Sequence, residues 1–115
     1  MDMAQQYIDW QDFEKVEIRT GTIVKAEPFP RARKPAYQLT IDFGELGTKR
    51  SSAQITALYQ PEDLIGKQIV AVVNFPPKQI ANFMSECLVL GSVAPDGTVT
   101  LLQTERPTAN GERVA

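Results

Sequence analysis

The stretch Ala71–Gly91, AVVNFPPKQIANFMSECLVLG, sets two apolar, strand-like runs, AVVNF and CLVLG, on either side of a segment with two prolines and one lysine. That segment also carries Ile80, Phe83 and Met84, which a plain surface loop does not need. Near-continuous apolar runs of this length fit buried strands, and the proline pair makes the connection between them stiff. The three large side chains then either close the end of a core or line a surface that receives a ligand. Both arrangements are open for Ile80 and Phe83, whereas Ser85 and Glu86 beside Met84 place it at a rim.

Toward the carboxyl end, Asp96-Gly97 is a tight-hairpin signal leading into TVTLLQ (98–103), and Asn110-Gly111 is a second turn signal in TANGERV (108–114). Toward the amino end, QIVAVVNF (68–75) follows ITALYQPEDLIGK (55–67). There Pro61 begins a helical turn, Glu62 and Asp63 lie near its positive end and Gly66 stops it. KVEIRTGTIVKAE (15–27) alternates, with Val16, Ile18, Thr20, Thr22 and Val24 expected on the core face and Glu17, Arg19, Gly21 and Ile23 on the other. Gly21 is expected to mark a bulge or bend. AYQLTIDFG (36–44) puts Tyr37, Leu39, Ile41 and Phe43 on one face, and a short polar strand is predicted around 49–53. DWQDFEKV (9–16) reads as one helical turn capped by Asp12, with Trp10 and Phe13 over a barrel mouth. PFPRARKPA (28–36) reads as a stiff, exposed loop.

The pattern is five or more short strands with one brief helical insertion between the third and fourth. It predicts an all-β fold, the five-stranded oligonucleotide/oligosaccharide-binding (OB) barrel, as one domain over 1–115 with a barrel core of roughly 12–101.

Chemistry is bounded by what the chain lacks. It has no histidine and a single cysteine, Cys87, so ordinary zinc sites and Ser-His or Cys-His pairs are out of reach. No catalytic residue, metal ligand or cofactor is assigned; the best carboxylate–lysine pair, Glu86 with Lys78, is indistinguishable from a surface ion pair. Cys87, inside an apolar run, is read as a small buried hydrophobe. No P-loop signature occurs, from which ATP independence is inferred. The start, MDMAQQYIDW, has none of the features of a secretory leader and the chain has no long apolar span, so a cytoplasmic protein without membrane insertion is expected. Net charge is −2, yet Lys25, Arg31, Arg33, Lys34, Lys49 and Arg50 face only Glu27, Asp42 and Glu45 over 25–50. An anionic partner should meet this segment.

The phrases DFEKVEIRTGTI (12–23), PRARKPAYQLTIDFG (30–44), SSAQIT (51–56) and VAVVNFPPKQIANFMSECLVLG (70–91) resemble the CsaA family of bacterial export-related chaperones. That family is in turn similar to the tRNA-binding domains appended to some methionyl- and phenylalanyl-tRNA synthetases. The resemblance implies an OB barrel, a homodimer, unfolded preproteins as clients with the secretion motor as a further partner, and tRNA as an alternative ligand. It also implies that the amino-terminal turn and a tail over 102–115 extend across the partner to build the dimer.

Two residue sets suit these roles. Phe75, Pro77, Lys78, Ile80, Phe83, Met84 and Ser85 form the expected peptide site, with methionine suited to partners of varied shape. Arg33, Lys34, Lys49, Arg50, Ser52 and Lys78 form the expected nucleic-acid site, at the strands and loops where OB barrels bind their ligands. A base would stack on Phe83 or on Tyr37, although the alternation of Tyr37 with Leu39 and Ile41 points it into the core. Ser51, Ser52 and Gln54 are a smaller polar set, suited to hydrogen-bonding a ligand or to capping local structure.

Overall fold

β1 (Ile18–Pro28) is the strand on which the sheet is assembled: its first half pairs with β4 (Gln68–Val72) and its second with β2 (Tyr37–Asp42), both antiparallel. The computed structural model describes residues 6–115. β3 (Thr48–Ala53) pairs with β2 and β7 (Leu88–Val89) with β4, for the order β3-β2-β1-β4-β7. The outer strands meet without a regular ladder. Glu86 N–H donates to the Arg50 carbonyl at 2.7 Å, Ser52 N–H to Ser85 Oγ at 3.1 Å, and Ser51 Oγ to the Cys87 carbonyl at 2.9 Å. The result is the nearly closed five-stranded, OB-like barrel that the strand count predicts, with only short helices.

β2 follows its sequence pattern: Tyr37, Leu39 and Ile41 are buried and the residues between them are half-buried. They pack with Ile23, Phe43, Ile69 and Ala71, and α2 (Pro61–Leu64), lying between β3 and β4, drops Leu64 into the same core. Tyr37 Oη donates to the Tyr59 carbonyl, and Tyr59 Oη accepts from Leu101 N–H, so the buried phenol of Tyr37 and the part-buried one of Tyr59 each have a partner.

β1 departs from the simple alternation. Ile23 is 0% exposed and Val24 46%, the reverse of the expected faces. Gly21 and Ile23 lie on the core face, against Phe43 and Ile41, while the Thr20 and Thr22 hydroxyls meet the tail; a register shift between Ile23 and Lys25, a bulge, then carries the core face to Ala26, opposite Leu39. The bulge falls beside Val24, not at Gly21. Gly21 instead serves close packing, because a Cβ there would lie 2.7 Å from the Ile41 methyl and the Phe43 ring.

The helical turn is also shifted from expectation. α1 (Trp10–Glu14) is capped by Asp9, which accepts from Asp12 N–H, while the Asp12 carboxylate accepts from Asp9 N–H. Asp12 therefore closes a reciprocal capping box from the third helical position. Trp10 is 79% exposed, so it covers no barrel mouth of its own chain.

The tail runs along β1. β2 ends at Asp42, opposite Thr22, and leaves the edge of residues 18–20 of β1 free. The tail takes that edge: Gly111 N–H donates to the Thr20 carbonyl at 2.7 Å, Thr20 N–H to the Glu112 carbonyl at 3.0 Å, and Val114 N–H to the Ile18 carbonyl at 2.9 Å. Gln68 anchors it further, donating to the Thr108 carbonyl and to Asn110 Oδ1. Residues 108–114 thus lie on their own barrel.

Two hairpins complete the chain, β5 (Lys78–Ile80) with β6 (Phe83–Ser85), and β8 (Gly91–Val93) with β9 (Val99–Leu101). The second turns at Asp96-Gly97 as the sequence signals, with Asp96 Oδ1 accepting from Thr98 N–H. The first turns through Ala81 and Asn82, and Ala81 holds φ at 52°. Two-residue hairpins of this kind favour glycine at the first turn position. Ala81→Gly is therefore expected to stabilise the protein by about 0.5–1 kcal/mol, read as a higher urea midpoint at unchanged slope.

Candidate functional site: adjoining apolar and basic hollows

The β5–β6 hairpin folds over the loop between β1 and β2 and builds a second, smaller core. Phe83, 2% exposed, packs its ring on Phe29 at 5.3 Å between centroids and 55° between planes, with Ala36 beside them and Ile80 and Ala32 at the edge. Phe83 is thus a floor and does not present its ring to a ligand. The proline pair sends the chain into a hairpin whose apolar residue at the turn finds a partner in the loop opposite.

Above this floor lie two hollows that share Ser52, Lys78 and Ile80 as a common wall. The first, about 520 Å³, is lined mainly by Phe75, Pro76, Pro77, Ile80, Cys87 and Leu88, with Ser85 and Glu86. Phe75 is 54% exposed here although it is a large aromatic. The second, about 540 Å³, is lined by Arg31, Arg33, Lys34 and Lys78 together with Ser52, Gln54, Gln79 and Ala81. Among the described residues none of these four cations is held in an ion pair, so their field is directed into the hollow.

The expected peptide residues Phe75, Pro77, Lys78, Ile80 and Ser85 come together around the first hollow. Met84 lines neither hollow and stands exposed beside Gln79, its neighbour across the hairpin. Of the expected nucleic-acid residues, Arg33, Lys34, Ser52 and Lys78 line the second hollow. Lys49 does not join them: successive residues of β3 point to opposite faces, and Lys49, opposite Ile41, lies across the strand from Arg50 and Ser52. Arg50 sits beside the hollow, with its guanidinium carbon 4.2 Å from the centroid of the Phe83 ring.

Ser51 is buried and committed to the Cys87 carbonyl, so the smaller polar set divides, with only Ser52 and Gln54 facing a hollow. Glu86 accepts from Arg50 N–H at 2.9 Å and makes no ion pair with Lys78. Burial pushes the Cys87 thiol up to about 12, with Glu86 adding to the effect and Lys49 and Ser51 opposing it. Cys87 therefore contributes a neutral, apolar surface to the first hollow. Among the described residues no group of three or more acidic or cysteine side chains converges as a metal site.

The residue-level reading missed Arg31, Gln79, Pro76 and Leu88 as lining residues. Arg31 and Pro76 were legible as neighbours of Arg33 and Pro77 in the same short segments. Leu88 was not, because its placement depends on how β7 meets β3.

Residues 18–113 match the family model described as "Putative tRNA binding domain". The chain is 30% identical over 109 residues to the methionine–tRNA ligase of Methanocaldococcus jannaschii, covering 95% of this chain and 16% of that protein. It thus spans only a small part of that curated relative. Its structure is similar to that of chaperone CsaA from Bacillus anthracis, with a TM-score of 0.91 and 55% identity over 96% of this chain and 100% of that one. The CsaA chaperone protein from Picrophilus torridus gives 0.88 and 52%, over 95% and 100%.

Proposed function

The chain belongs to the CsaA chaperones, within the wider tRNA-binding-domain family, and on that footing we propose that it is an ATP-independent, non-enzymatic chaperone that holds extended segments of unfolded preproteins. The observation that carries this reading is the apolar hollow walled by Phe75, Pro77, Ile80 and Leu88, adjoining polar and basic groups that suit the peptide backbone and its polar side chains. Phe75, on a rigid proline pair, keeps about half of its surface in water. An apolar client side chain entering the hollow removes that surface from water. Holding then follows from mass action, since only the unfolded client offers such segments.

Phe75→Ser with Leu88→Ser tests this reading in the protein with an intact core, because both side chains line the hollow and are about half exposed. The double variant is expected to bind an unfolded preprotein about tenfold more weakly, from partial loss of two apolar contacts. The wild-type affinity should change little between low and high salt. Unchanged client binding by the double variant would refute the assignment of this hollow.

We propose a homodimer formed through the amino-terminal segment, in the cytoplasm. Tyr7, Ile8 and Trp10 are largely exposed, and Ile8, Trp10 and Phe13 surround an apolar hollow of about 440 Å³ beside Ala115. Contiguous apolar surface of this kind favours burial against a second copy.

The second reading is a tRNA-binding protein, favoured by the basic hollow of Arg31, Arg33, Lys34 and Lys78. Cations gathered on one loop and one hairpin overcome the net charge of −2 at close range.

A further inference from the structure

The two aromatic side chains expected to stack on a base are covered: Tyr37 is 7% exposed and Phe83 2%. What faces outward above Phe83 is the Arg50 guanidinium. We propose that Arg50 is a stacking platform for one unpaired base of a single-stranded RNA segment, an inference that rests on the nucleic-acid reading of the neighbouring basic hollow.

A guanidinium is planar, delocalised and weakly hydrated, and it stacks on aromatic faces. Its central carbon lies 4.2 Å from the centroid of the Phe83 ring and the residue is exposed, so a guanidinium lying parallel to that ring has its second face toward solvent. Its position is prepared in advance. Arg50 N–H donates to Glu86 Oε1 at 2.9 Å, the Arg50 carbonyl accepts from Glu86 N–H at 2.7 Å, and Nη2 donates to Gln38 Oε1 at 3.4 Å. Phe83 is held in turn by Phe29. Among the described residues no carboxylate forms an ion pair with Arg50, so its charge remains available.

The surroundings specify the ligand. Ala32 and Ile80, which pack against the Phe83 cluster, also line the basic hollow with Arg33, Lys34 and Lys78. A flat cation next to a phosphate-binding hollow matches a nucleotide whose base is out of its stack, since bases of single-stranded RNA stack on arginine planes as they do on aromatic rings. A paired helix would offer phosphates to the hollow but no free base face to Arg50. The buried ring thus acts through the arginine that covers it.

The test compares two probes of equal length and phosphate charge, a short single-stranded oligouridylate and an abasic sugar–phosphate oligomer, by fluorescence anisotropy with wild type and Arg50→Lys. The substitution is at an exposed position and keeps the charge while removing the plane. Wild type is expected to prefer the base-bearing probe about tenfold, and Arg50→Lys to lose that preference with an unchanged salt dependence. Retention of the preference in Arg50→Lys, or equal binding of the two probes by wild type, overturns the platform while leaving the basic hollow as a phosphate site. Failure of wild type to bind either probe at low salt overturns the platform and the nucleic-acid reading together. An acidic peptide that binds through Arg50 while the probes show no base preference assigns the arginine to a protein ligand instead and also overturns the proposal.

Discussion

Gly111→Val is expected to release the C-terminal tail from β1 and to lower the stability of the fold by about 3 kcal/mol. Gly111 holds φ at +86°, a conformation that a β-branched residue adopts only under strain, and a Cβ there would lie 2.4 Å from the Phe43 carbonyl oxygen. That oxygen belongs to the backbone at the end of β2 and cannot rotate away. A Cβ on Gly44, at φ +68°, would in turn lie 2.6 Å from the Asn110 carbonyl oxygen, so neither segment has room to give.

Relief must come from the tail lifting off, and the tail carries the bonds that satisfy Thr20. This residue is buried, donates through Oγ1 to the Ala109 carbonyl and accepts there from Glu112 N–H. Left without them, a buried hydroxyl and a strand edge must find water or stay unpaired, at a cost of about 1–3 kcal/mol for each unsatisfied group. The measurement is hydrogen exchange: Thr20 and Val114 amides, protected in the wild type through the Glu112 and Ile18 carbonyls, should lose protection together as the urea midpoint falls. Unchanged protection at Thr20 with a normal midpoint would show that the tail does not bear on β1 in the way its hydrogen bonds indicate.

Replacing Arg33, Lys34 and Lys78 together by alanine is expected to weaken tRNA binding by about two to three orders of magnitude at low salt. Each phosphate contact contributes close to one unit of slope in a plot of log affinity against log salt, so the triple variant should also flatten that slope by about 2–3. These three side chains line one hollow, bear no structural ion pair among the described residues and lie outside the main core, so the fold should survive their loss. Lys78 also walls the apolar hollow, which makes the comparison with Phe75→Ser/Leu88→Ser informative. If the two hollows serve separate ligands, the triple variant loses tRNA and keeps the client, and the double variant does the reverse. A triple variant that binds tRNA with wild-type affinity and slope would place the RNA elsewhere.

Much of the fold was legible because its signals are local. The alternation of Tyr37, Leu39 and Ile41, the Pro61 start and Gly66 stop around α2, and the Asp96-Gly97 turn depend on residues a few positions apart, and each is realised. Ile23 and Val24 show where such signals fail. Both are apolar and β-branched, so either phase of β1 looks acceptable; the close packing of Gly21 on Ile41 and Phe43 puts Ile23 on the core face, and the bulge after it moves that face to Ala26. Lys49 and Arg50 are adjacent bases that read as one patch until the strand is placed, after which alternation sends them to opposite faces.

The chain's composition and order of elements were enough to set a small all-β barrel without imidazole chemistry, and to draw attention to the segment around Pro76 and Pro77 and to the basic loop before β2. Only the tertiary structure decided that Phe83 is a floor under Arg50, that the two hollows share Lys78, and that the tail occupies the edge of β1 that β2 leaves open. The reason is range: periodicity and turn chemistry act between near neighbours. Burial of a given ring, and the partner of a given strand edge, are set by segments far apart in sequence whose backbones meet only when the sheet closes.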